Sequence, residues 1–318
     1  MNRFRQMSIV RLVRRLPTLV LSLLTLGCVA THHASRPSVL GVARSSDELL
    51  AILDQPGPIA LESVESADWE VPLSGLLNLE HPKAKAADLE DRAEPIIVWF
   101  HAIEHPQRGM FIVDTGVERA VHDPERAAVR GIAADFMKIE EKLVVRTDLA
   151  GFLAKKGSLD GVFLTHLHLD HVMGMPDVPK HTPIYAGPGE TTPRSMQNLV
   201  LRSNYARLLD GHEPLSEWNF APDAAGRFDG LVDVFGDGSV WAIWVPGHTP
   251  GSTAYLVRTA RGPVLLTGDA SHTRWGWDND VEPGTYSGDP ERSAASFHKL
   301  RAFALAHPSI EVRVGHQR

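Results

Sequence analysis

The stretch "FLTHLHLDHVMG", residues 163–174, sets His166, His168, Asp170 and His171 within six positions, with leucines at 167 and 169. Imidazole nitrogens and carboxylate oxygens are the donors that hold first-row divalent metals when several converge on one point. In an extended segment alternate side chains share a side. Residues 166, 168 and 170 are therefore expected to project one way, and Leu167 and Leu169 the other, into a core. His171 follows where the chain turns into a helix and so faces a neighbouring point. Two imidazoles at i and i+2 suit one ion, and a carboxylate with the next imidazole suits a second. A merely polar, histidine-rich loop explains neither the alternating leucines nor the apolar run that leads into them.

Such donors need a scaffold. "DGVFLT" (160–165) reads as a short strand ending at the motif, and residues 147–157 as a helix before it. "EPIIVWFHAIEHPQRGMFIVDTG" (94–116) reads as a hairpin around a polar turn, with His101 and His105 as ordinary strand or turn residues. "SDELLAILDQ" (46–55) is a short helix behind a Ser cap, and "TPIYAG" (182–187) a further short strand. Residues 191–210 suggest an amphipathic helix burying Met196, Leu199, Val200, Leu208 and Leu209. Residues 232–270 form a run of strands with Gly-rich turns, 298–307 a helix, and "IEVRVGHQR" a last strand. Strands and helices mix without strict β-α-β alternation, which favours a layered α/β sandwich.

The chain has 318 residues, 43% hydrophobic and 22% charged, an ordinary globular composition. Its first segment stands apart. Residues 1–27 carry five arginines and no acid, then an apolar run from Leu16 to Leu26 that is shorter than the roughly 20 residues of a membrane span. This is the make-up of an export signal, with an uncleaved N-terminal anchor as the alternative. Cys28, the only cysteine, follows "LLTLG" directly, so the stretch resembles the lipobox of bacterial lipoproteins, with Thr25 where a leucine is usual. That resemblance implies a signal peptide at 1–27, lipid on Cys28, a polar tether at 28–40 and a body at 41–318. The implied location is the outer membrane or the periplasmic face, because Val29 rather than aspartate follows the cysteine. Removing residues 1–27 lowers the formal charge from −7 to −12. An acidic surface of this kind offers no electrostatic footprint for nucleic acid.

The motif at 166–171 resembles the HxHxDH signature of the metallo-β-lactamase-fold superfamily. The likeness continues in order through "VPGHTPGS", "LLTGDA" and "VGHQR", and "DTG" at 114–116 resembles the family's early strand end. The resemblance spans about residues 94–318. It implies a four-layer αβ/βα sandwich with metals at one edge, on loops at strand ends. It places His166, His168 and His248 on one metal, Asp170, His171 and His316 on the other, and Asp269 between them. Gln317 follows His316 where the family often has aspartate.

Two divalent ions together lower the pKa of a bridging water to roughly 7 and polarise a carbonyl, which is hydrolysis without a protein nucleophile. Asp170 is expected to orient that hydroxide, and Asp269 to help pass a proton to the leaving oxygen. His and Asp donors suit zinc, and manganese or iron as well. Within the family, "VFGDGSVWAIWVPGHTPGS" and "LLTGDASHT" look most like N-acyl-homoserine lactonases, whereas family β-lactamases generally lack the bridging aspartate. Those lactonases commonly carry a tyrosine three residues after that aspartate; here the position is His272, expected to donate a hydrogen bond to the substrate carbonyl. Trp275 and Trp277 are expected to form an apolar substrate wall. The expected partner is a small molecule. The alternatives are a glyoxalase-II-like thioester hydrolase and a metal-binding surface lipoprotein without turnover.

Overall fold

The computed structural model describes residues 28–195 and 198–318, so the expected export signal at 1–27 and Met196 lie outside the described residues. Two sheets dominate the described residues. The first has eight strands, in the order Ser35–Pro37, Leu215–Glu217, Ile184–Ala186, Gly161–Phe163, Gly109–Val113, Ala93–His105, Ala60–Pro72 and Val144–Val145. The second has six: Glu311–Arg313, Gly262–Leu266, Thr253–Thr259, Val240–Trp244, Leu231–Asp233 and Val42–Arg44.

Strand periodicity explains how the sheets stack, because successive side chains leave opposite faces. Phe111 and Val113 meet Tyr255, Val257, Val264 and Leu266 in one apolar layer between the sheets. Ile112 and Val162 point the other way, under helical residues such as Phe152, Tyr205 and Leu208. Leu256 and Leu265 leave the second sheet on its outer side and meet Phe297, Leu300 and Phe303 of the helix Pro290–Ala306. Strands buried on both faces are apolar along their middle, as residues 254–257 of Thr253–Thr259 are. The result is the expected four-layer αβ/βα sandwich.

Several expectations are corrected. The tether does not hang free. Cys28–Val29 pairs with Arg194–Ser195, Thr31 is buried, and Ser35–Pro37 joins the edge of the first sheet. Unpaired backbone at a sheet edge recruits whatever strand lies nearby, so part of the expected tether at 28–40 pairs with the strands beside it. The helix Asn198–Leu208 buries Asn198, Asn204, Tyr205 and Leu208, and leaves Leu199 and Val200 57% and 47% exposed. The strand Ala60–Pro72 carries no clear period in the sequence. A register shift between Glu65 and Ala67 moves the inward positions from Val64 to Ala67 and Trp69, which cancels a simple alternation. The last helix starts at Pro290 behind the Asp289 cap, eight residues before the expected start at 298.

Candidate metal centre

The donors gather where strands of both sheets end. The strand Gly161–Phe163 stops, and residues 164–168 cross to a short helix, Leu169–Val172, whose N-cap is His168. Asp170 and His171 thus stand on the first helical turn rather than on an extended segment, while Leu167 and Leu169 anchor the crossing in the core. His248 sits in the turn after Val240–Trp244. Gly247 there has φ +136°, and a Cβ on it would lie 2.1 Å from the Ser293 nitrogen, so only glycine lets the turn seat against the last helix. Asp269 lies in the 3-10 turn Gly268–Ala270, just after Gly262–Leu266. His316 follows the last strand but is not frayed. Its peptide receives from Ile97 N (2.9 Å) and donates to His272 O (3.0 Å), and Gln317 accepts from Arg274 N and donates to Glu94.

The expected ligands fall into two groups of metal-binding composition, His166, His168, His248 and Asp269, and Asp170, His171 and His316. His248 Nε2 lies 3.2 Å from His166 Nε2 and 2.8 Å from His168 Nδ1. The two oxygens of Asp269 divide between the groups. Oδ2 lies 3.2 Å from His248 Nε2 and 3.6 Å from His166 Nε2, and Oδ1 lies 3.4 Å from His171 Nε2 and 3.2 Å from His316 Nε2. Asp170 Oδ2 lies 3.4 Å from His316 Nε2 and 3.6 Å from His171 Nε2.

Second partners aim the rings. His171 Nδ1 donates to Asp114 Oδ2 (2.8 Å) and His316 Nδ1 to the Ile97 carbonyl (3.1 Å), so both turn an Nε2 lone pair inward. Burial, aided by neighbouring imidazoles, holds His166 well below its ordinary pKa and His168 down to about 3. Burial opposes charge on His171 as well, but the carboxylates of Asp269, Asp170 and Asp114 outweigh it and raise that ring well above its usual value. Burial also opposes charge on Asp269, and the surrounding imidazoles outweigh it, keeping the carboxyl well below the usual range. His171 Nε2 and Asp269 Oδ1 are buried with no hydrogen-bond partner. Buried polar atoms are nearly always partnered. Seven converging N and O donors, two of their atoms buried without a partner, fit divalent cations.

The substrate residues fare differently. His272 is buried beside Asp269, its Nε2 3.2 Å from Oδ2. Its Nδ1 donates to the Leu76 carbonyl at 2.9 Å, which fixes the ring with Nε2 turned toward Asp269 and the ligand groups. Trp277 is a core residue, edge-on to Phe297 at 6.0 Å, and Trp275 packs with Leu73, Leu77 and Val281. Both stand on the helix Arg274–Asn279 rather than in the expected loop, and that helix turns Trp277 into the apolar layer outside the second sheet. An aromatic that stays open near Asp170 is Tyr286, 42% exposed. Its ring lies so close over Gly75 that a Cβ there would fall 2.3 Å from it. Burial and the Asp170 carboxylate raise its phenol above the ordinary value.

Three site residues go beyond what the sequence suggests. Asp114 stands there only as a strand end. His101 Nδ1 receives from Ser63 Oγ at 2.5 Å, and burial with the Arg313 charge takes its pKa to about 3. It lines a cavity of about 10 Å³ with Asp170, His171 and His316. Glu190 is the third: a buried carboxylate that accepts from Leu167 N and Gly251 N, its carboxyl pushed by burial to about 7. A single Gly-Glu in a turn carries no signal that would have found it.

Residues 103–316 match the model of the Metallo-beta-lactamase superfamily. The chain is 30% identical over 243 residues to the N-acyl homoserine lactonase AttM of Agrobacterium fabrum, covering 75% of this chain and 87% of the relative. It is 31% identical over 198 residues to the gamma-lactamase MBL2 of Gibberella moniliformis, covering 57% and 76%. A solved quorum-quenching N-acyl homoserine lactone lactonase superposes with a TM-score of 0.58 at 21% identity, over 83% of this chain and 94% of that one.

Proposed function

This chain belongs to the metallo-β-lactamase superfamily and is a metal-dependent hydrolase, and we propose that it uses two metal ions to open a lactone or related ester. The observation that carries the two-metal reading is Asp269, one carboxylate oxygen toward each histidine group. His166, His168 and His248 would hold the first ion, Asp170, His171 and His316 the second, and Asp269 both. The all-N/O donor set suits zinc. When bound, such ions supply a nucleophile from water at neutral pH and Lewis-acid polarisation of a carbonyl. The lactone reading is supported by relatives named N-acyl homoserine lactonase.

The chain's own residues set the rest. Asp170 accepts a hydrogen bond from the attacking water and fixes its direction. His272, its Nδ1 held by the Leu76 carbonyl and its Nε2 turned toward Asp269, would take the proton released in the attack and return it to the departing ring oxygen. One C–O bond forms, one breaks, and the product is a hydroxy acid. Tyr286 supplies an open aromatic surface for the substrate's apolar part. The protein is further read as exported and lipid-anchored through Cys28, on the basic, then apolar, stretch that precedes that cysteine.

The test is metal analysis of protein purified without chelator, with a panel of acyl lactones, thioesters and lactams. We expect about two ions per chain, turnover greatest on lactones, and loss of turnover in His168→Ala. Preference for thioesters would move the protein to the glyoxalase-II-like reading, and no turnover on any substrate would leave a binding protein.

A further inference from the structure

Glu190 belongs to neither ligand group, yet every histidine of the first group stands on one of the two loops that its carboxylate joins. Oε2 accepts from Leu167 N at 2.8 Å, the peptide between His166 and His168. Oε1 accepts from Thr249 Oγ1 at 2.5 Å and from Gly251 N at 2.8 Å, one and three residues past His248. The Thr249 hydroxyl also lies 2.8 Å from Ser252 Oγ, which closes the turn on itself. The loops are pressed together as well as bonded. A Cβ on Gly187 would lie 1.7 Å from the Gly251 carbonyl oxygen, so the loop that carries Glu190 has no freedom to slide.

The second group has an anchor of its own. Asp114 receives His171 Nδ1 and Thr165 N, both at 2.8 Å, and shares no partner with Glu190. The two halves of the centre meet through Asp269 and through Thr165 Oγ1, which bonds to Asp114 and lies 3.1 Å from His166 Nδ1, and Glu190 bonds to neither. Three donors from two loops of the same chain converge on a side chain that is only 3% exposed. What a carboxylate does there is fix the distance between the His166–His168 segment and the His248 turn.

We propose that Glu190 is a positioning residue that sets the first metal site independently of the second, by locking the peptide at Leu167 and the turn at 249–251 in one register. The proposal rests on the two-metal reading above. Its chemistry is demanding in a useful way. Three donors converge on two oxygens, and an amide has only one. In Glu190→Gln the side-chain NH₂ would turn either against Leu167 N–H or against the Thr249 and Gly251 pair, so one of the two loops must let go. Outer residues that orient metal ligands typically contribute about 10–100-fold in metal affinity.

The experiment is chelator competition with zinc on the full chain, combined with long-range ¹H–¹⁵N correlation spectra that show which imidazole nitrogens coordinate. Glu190→Gln should weaken one of two ions by about 10–100-fold, and the histidine signals that revert should be those of His166, His168 and His248. Asp114→Asn should produce the opposite pattern, with His171 reverting. Should Glu190→Gln lower the thermal midpoint of the metal-free protein sharply, Thr249→Val decides instead. It removes one donor of three and should weaken the same ion by a smaller factor. Wild type binding a single ion would overturn the two-metal reading itself. Wild type binding two ions, with the variants losing neither or losing both in parallel, would overturn the independent role of Glu190.

Discussion

Asp114→Asn isolates one physical effect with little else changed. Asp114 has φ +57°, a left-handed conformation that disfavours most side chains by roughly 1–2 kcal/mol and that Asn tolerates as well as Asp. The backbone should therefore stay where it is. Its carboxylate receives Thr165 N at 2.8 Å on Oδ1, the Thr165 hydroxyl on both oxygens, and His171 Nδ1 at 2.8 Å on Oδ2. An amide keeps one oxygen for these partners. If that oxygen stays on Thr165 N, the NH₂ meets His171 Nδ1. The ring can then pair only by shifting its proton to Nε2, the atom 3.4 Å from Asp269 Oδ1, and the lone pair that would hold a metal is gone. If the amide turns over, His171 keeps its tautomer, but the peptide of Thr165, next to His166, loses its acceptor. Hydrogen bonds to a charged group contribute about 1.5–3 kcal/mol each. One of them is lost in either arrangement: loss of the His171 pairing should weaken the second ion by about 10–100-fold, or about 1.4–2.7 kcal/mol, whereas loss at Thr165 would fall on the His166 segment of the first group. Zinc titration against a chelator of known affinity measures this directly, and Asp114→Ala, with the same loss plus backbone strain, should weaken the ion further. An Asp114→Asn protein that holds both ions at wild-type affinity would refute the claim that this carboxylate sets the His171 tautomer.

His272→Phe should retain both ions and lose about 10²–10⁴ in kcat, the usual contribution of a placed acid–base group; unchanged kinetics would make the ring a bystander, and lost metal would make it a ligand. Cys28→Ser should abolish palmitate labelling that the wild type shows in a bacterial host, and equal labelling of both, or of neither, rejects the anchor.

How much of this is legible in the sequence depends on what kind of constraint each residue obeys. Four metal donors are legible because few side-chain types bind divalent ions and because a spacing such as 166, 168, 170 and 171 is hard to explain otherwise; His248, Asp269 and His316 are legible only through the family resemblance. Even so, the local geometry differs from the expected one. An unbroken extended segment would put Asp170 beside His166 and His168, whereas the helix starting at Leu169 swings Asp170 and His171 to the neighbouring group. The four layers are legible from the mix of strands and helices, but the strand Ala60–Pro72 is not, because its bulge shifts the inward parity midway. Trp277 departs from its expected place for a related reason. Its neighbours in sequence are polar, while its neighbours in space are Phe297 and the helical layer, and only the tertiary fold brings those together.

Glu190 and Asp114 mark a different boundary. Half of their donors are backbone N–H groups, which nearly every residue carries, so no pattern of types records those pairings. A ligand must be one of a few residues wherever it stands; its anchor needs only an acceptor at the right point, and that point exists only once two loops have met. Residues that orient a metal centre are therefore harder to see in a sequence than those that bind it. Yet each imidazole needs the correct nitrogen turned inward, and in the second group both do so only because Asp114 and the Ile97 carbonyl hold the other one. A chain could keep all seven donors and still bind metal poorly, if the acceptors behind them were lost.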